Sequence, residues 1–194
     1  NRRGSYTVEN GTNNGVNNNG VFVTNGTTLA KIEKTDFTVK GNGIGLLIGD
    51  EDGKGTVTTI ENSTFNVNGT NGITNSTSNP RERKGTGIYV YHGNVTVGKD
   101  TSITGDGDDV LMTVNTHDTT SSPTDNEIKF TKTGSKVKLS AAGSNNIAIN
   151  LQNGITTDMK ATTITGDNVD ITFNSGNNNI FFNEIGEKRN WKKK

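Results

Sequence analysis

Three carboxylates on one tight turn, in Gly105-Asp106-Gly107-Asp108-Asp109-Val110-Leu111, are the residues whose types and spacing could do chemistry. Calcium is held by several oxygen ligands, and carboxylates carried on a glycine turn can supply them. The phrase fits the calcium-binding nonapeptide Gly-Gly-x-Gly-x-Asp-x-apolar-x, with Thr104 in place of the first glycine. Such an ion sits between consecutive turns, so tandem copies are required. The nearest second copy, Gly166-Asp167-Asn168-Val169-Asp170, is distant and lacks the second glycine. The expectation is therefore a solvated corner without metal, with Asp106, Asp108 and Asp109 as the calcium candidates. Asp50-Glu51-Asp52-Gly53 reads as a similar acidic turn.

Catalysis finds less support. A general acid and base need a defined separation and perturbed pKa values. The acids at strand ends (Asp100, Asp106, Asp108, Asp109) and the bases nearby (Arg81, Arg83, Lys84, His92) show no spacing that supplies either. His92 and His117 have no partners at metal-ligand spacing, and without cysteine thiol chemistry is excluded. The expectation is a protein that is not an enzyme and takes no cofactor. The candidate ligand-binding patch is aromatic and basic: Tyr89, Tyr91 and His92 follow closely on Arg81, Arg83 and Lys84. If Ile88 and Val90 face a core, both tyrosines face outward, where aromatics beside arginines can stack on sugars or peptides. The competing reading has the tyrosines merely packing on neighbouring strands.

The chain that must position these residues has 194 residues, 20 basic and 20 acidic, with 25 glycines, no cysteine and only 27% hydrophobic residues. Its mean hydropathy is -0.67. Zero net charge argues against bulk electrostatic affinity for nucleic acid or an anionic membrane. No apolar run reaches the ~18 residues that a spanning helix needs. Such polarity could mean disorder, but the apolar residues recur in short period-two runs rich in Val, Ile and Phe. A narrow solenoid accounts for both features, because it has a thin core and many turns that favour Gly and Asn.

A repeat supports the solenoid. Ile32-Glu33, Phe37, Val39, Gly41, Gly43 and Ile44 are echoed by Ile60-Glu61, Phe65, Val67, Gly69, Gly72 and Ile73. Self-similarity at this scale marks units that stack because none can bury its apolar face alone. Ten strands are predicted, centred on Phe22, Thr38, Asn66, Tyr89, Thr96, Leu111, Lys129, Lys138, Ala148 and Thr172. No helix is expected, since Gly, Asn and Thr interrupt every stretch. A Gly/Asn turn precedes an apolar strand before Val21, Ile44, Ile88, Val110, Ile147 and Ile180. With the Ile44-to-Ile88 interval read as two turns, this gives rungs of 20 to 25 residues carrying insertions. The fold class is all-β, a right-handed parallel β-helix of about six to eight rungs, right-handed because parallel crossovers prefer that hand. Loops near 75–84 and 116–126, which hold the only prolines, should protrude. No linker divides residues 1–194, which read as a single domain and a fragment of a longer chain. Asparagines stacked in such turns can form hydrogen-bonded ladders along the axis.

The Gly-x-Gly-Ile phrases at Gly41–Ile48 and Gly85–Tyr91, and the rung from Thr59 to Ile73, resemble the passenger of type V secretion autotransporters. The likeness is nearest to the large Asn/Lys/Ile-rich adhesins of fusobacteria. It implies a secreted or cell-surface bacterial β-helix, anchored in the outer membrane by a carboxyl-terminal β-barrel outside this sequence. It further implies a rigid stalk or binding surface whose partner is a host or microbial protein or glycan. In this reading the segment itself touches neither nucleic acid nor membrane. The alternative is a β-helix polysaccharide lyase or hydrolase, or a phage tail-fibre module.

Overall fold

The computed structural model describes residues 3–9, 18–41, 43–50, 53–68, 85–115, 126–131, 136–152, 162–166 and 169–185. These residues form strands and turns, with no helix among them.

Sheet A stacks β1 (Gly4–Val8), β4 (Thr35–Lys40), β7 (Thr64–Asn68), β10 (Ser102–Gly105), β13 (Val137–Ala141) and β16 (Val169–Phe173). Sheet B stacks β2 (Asn19–Val23), β5 (Ile44–Ile48), β8 (Thr86–Val90), β11 (Val110–Asn115), β14 (Ile147–Gln152) and β17 (Ile180–Ile185). Sheet C stacks β3 (Thr28–Glu33), β6 (Gly55–Glu61), β9 (Gly93–Val97), β12 (Asn126–Phe130) and β15 (Thr162–Gly166). The chain visits A, B and C in turn, and each strand pairs in parallel with the strands three before and three after it. This is a parallel β-helix of five three-strand coils and a sixth of two strands. All ten predicted strands are present.

The core follows from side-chain alternation on these strands. Phe37, Phe65, Ile103 and Leu139 lie in one inward row of sheet A, every one of them fully buried. The Phe37 and Phe65 rings stack at 4.5 Å with planes 8° apart, and Tyr6 extends the stack to the first coil at 5.5 Å. Leu46, Ile88, Met112 and Ile149 form the matching row of sheet B. The two copies of the sequence repeat are consecutive coils, because Ile32 pairs with Ile60 and Phe37 with Phe65.

One expectation is corrected by this register. Asn19, Ile44, Thr86, Val110, Ile147 and Ile180 stack in a single row, so successive coils there take 25, 42, 24, 37 and 33 residues. The long interval after Ile44 is one coil rather than two, since β5 hydrogen-bonds directly to β8. Coil length varies because the strands are held in register while the connections between them are free to differ. The expected loops at 75–84 and 116–125 lie outside the described residues. Asn126 does not protrude. It opens β12, is buried, accepts a hydrogen bond at Oδ1 from the Gly93 N–H (2.7 Å) and donates from Nδ2 to the Tyr91 carbonyl (3.3 Å).

Candidate functional site

Two regions gather the residues singled out by the sequence. The first is the corner between sheets A and B. All six Gly/Asn turns noted above fall there, one per coil. A backbone ladder runs through it from end to end. The carbonyls of Asn18, Gly43, Gly85, Asp109 and Asn146 accept from the N–H of Ile44, Thr86, Val110, Ile147 and Ile180 at 2.9, 3.0, 3.2, 2.8 and 2.9 Å.

In the last three coils a side-chain ladder is added. Asp109 Oδ2 accepts from the Asp106 N–H of its own turn at 2.7 Å. Asn146 Oδ1 accepts from the Asp109 N–H (3.3 Å), and Asn179 Oδ1 from the Asn146 N–H (2.9 Å) and Asn146 Nδ2 (3.0 Å). Each amide also closes its own turn. Asn146 Nδ2 donates to the Ala142 and Gly143 carbonyls, and Asn179 Nδ2 to the Ser175 carbonyl of its own turn and to that of Gly143 one coil back. On the outer side Asn145 Nδ2 donates to Asp108 Oδ1 (2.9 Å) and Asn178 Nδ2 to Asn145 Oδ1 (3.4 Å). Asp108, Asn145 and Asn178 all have positive φ, 56°, 61° and 59°. That conformation is costly for most L-residues and tolerated by Asn and Asp.

The acidic triplet is thus divided among tasks. The Asp109 carboxylate is buried and ties the turn to Asp106, while Asp108 carries a left-handed corner and takes a hydrogen bond from the next coil. Their oxygens point along and within the corner. Among the described residues, no three of His, Asp and Glu gather closely enough to hold a metal ion.

The second region is β8. Ile88 and Val90 face inward as expected, and Tyr89 faces outward in the row Phe22, Leu47, Tyr89, Thr113, Asn150. The exposed patch is not found, and the competing reading, in which the tyrosines pack on neighbouring strands, holds. Tyr89 and Tyr91 are only 1% and 4% exposed, and they form a second small core with Ile44 and Leu47. Their rings meet edge to face at 5.9 Å. Sheet B is buried on both faces here, which gives the rings apolar cover rather than a wet recognition surface. His92 is half-buried at the bend after β8, where its N–H donates to the Ile48 carbonyl and its carbonyl accepts from the Gly55 N–H, both at 3.0 Å. Arg81, Arg83, Lys84 and His117 lie outside the described residues.

Sequence reasoning missed a further corner, between sheets C and A. Lys34, Asn62 and Asp100 occupy it in successive coils, all with positive φ (52°, 48° and 55°). Buried Ser63 receives the Thr35 N–H (3.1 Å) and donates to the Glu61 carbonyl (2.8 Å). One left-handed residue per turn, of three different types, leaves no glycine signal to read.

The outer faces of sheets A and C are polar. On sheet A, Ser5, Asp36, Thr64, Ser102, Lys138 and Asp170 form one outward row, and Thr7, Thr38, Asn66, Thr104, Ser140 and Thr172 the other. Charges there are paired across coils: Arg3 grips Asp36 through both carboxylate oxygens (2.6 and 2.8 Å), and Lys136 meets Asp170 at 3.0 Å. Arg3 holds the Asp36 carboxyl below its ordinary pKa, and the Thr64 hydroxyl adds to the effect. On sheet C, Lys31 bridges Glu61 (2.9 Å) and Glu33 (3.5 Å).

The architecture defines the class, a three-sheet parallel β-helix. Comparison with protein-family models, curated proteins and solved structures finds no match for this chain.

Proposed function

We propose that the chain is a non-catalytic segment of a secreted, cell-surface bacterial adhesin of the autotransporter-passenger kind. It acts as a rigid stalk and presents a surface to a host or microbial protein or glycan. The observation that carries this reading is the continuous parallel stacking of six coils, with a register shift between Val57 and Ile60 where β6 meets β9, held by two corner series of left-handed residues. Parallel strands about 4.8 Å apart make such a stack long for its mass. Its neutral, ion-paired sides on sheets A and C suit a projecting module rather than one wrapped in other domains. The autotransporter family and the location outside the cell rest on the Gly-x-Gly-Ile resemblance.

The binding role falls on the basic residues Arg81, Arg83 and Lys84, since the tyrosines are structural. The test is a glycan and host-protein array probed with the native chain and with Arg81→Ala/Arg83→Ala/Lys84→Ala, folding being checked by circular dichroism. Specific binding lost in the variant supports an adhesive site on that segment. The absence of any ligand for the native chain removes the binding role and leaves the stalk.

A further inference from the structure

We draw no further inference here: the strongest candidate, the outward face of sheet B around the fully buried Thr113 and Asn150, carries nothing, because nothing among the described residues shows what covers it.

Discussion

The corner between sheets A and B is built in two ways in the same molecule. In the second and third coils its innermost position is Gly43 and Gly85, and among the described residues the corner's coil-to-coil hydrogen bonds are backbone ones. In the fourth to sixth coils the position is Asp109, Asn146 and Asn179, and a side-chain ladder runs beside the backbone one. The backbone series is continuous through both, so the register does not depend on the amides. What the amides add is hydrogen-bond partners for turn N–H groups and carbonyls, the Asp109 and Asn146 N–H and the Ala142, Gly143 and Ser175 carbonyls. The glycine corner reaches the same end by bringing backbone close: a Cβ on Gly43 would lie 3.0 Å from Val8 Cγ1 and 3.3 Å from the Lys40 carbonyl oxygen.

This difference can be broken or sharpened by substitution. The largest effect belongs to the core that both corners serve: Phe65→Ala empties the centre of an aromatic stack and should cost about 3–5 kcal/mol by chemical denaturation. At the ladder corner, Asn146→Ala removes the acceptor of the Asp109 N–H in the preceding coil and the donor to the Ala142 and Gly143 carbonyls of its own turn, and should cost about 2–3 kcal/mol. Gly43→Ala, at the other corner, crowds Val8, Val39 and the Lys40 carbonyl and should cost about 1 kcal/mol. Equal costs for the two would mean that the side-chain ladder contributes nothing beyond the backbone one. Thr113 tests the covered outer face of sheet B, because its hydroxyl is fully buried and makes no hydrogen bond among the described residues. Thr113→Val keeps the shape and should be neutral or stabilising by up to about 1 kcal/mol, read as a shift in denaturation midpoint.

The smallest effect is on the exposed face of sheet A. Asp36 has a lowered pKa in the folded state, so its contribution is present above the ordinary carboxylate pKa of about 3.9 and is lost as pH falls through the folded value. Because the pair is half-exposed, that contribution should stay under about 1 kcal/mol, and Asp36→Asn should flatten the acid limb of the stability–pH curve by no more than this.

The sequence was most legible where period-two alternation coincides with a corner that needs Gly or Asn. Phe37-Thr38-Val39 and Phe65-Asn66-Val67 announce both their strands and their stacking, and the Asn145-Asn146 and Asn178-Asn179 pairs announce the ladder. It was less legible where spacing had to be converted into coils. The stretch between Ile48 and Gly85 holds a complete sheet C strand and sheet A strand together with residues 69–84, and length alone cannot tell an insertion from another coil. Tyr89 stayed open between a recognition patch and packing on neighbouring strands for a different reason: alternation gives the direction of a side chain but not what lies over it. Strands such as β3 and β10 escaped because Thr, Lys and Ser dilute their alternation. Binding was the least legible of all, since Arg81, Arg83 and Lys84 belong to a segment with no repeat to fix its position.

Register is the central claim, and it is measurable without a crystal because the chain has no cysteine. Thr7, Thr38 and Thr172 lie in one outward row of sheet A, five and four coil steps apart along the axis. Spin labels at Thr7→Cys/Thr172→Cys and at Thr38→Cys/Thr172→Cys should give narrow distance distributions. Pulsed electron resonance should place them near ~24 Å and ~19 Å, a difference of one strand spacing. Broad distributions, or two distances that do not differ by about one strand spacing, would contradict the stacked coil.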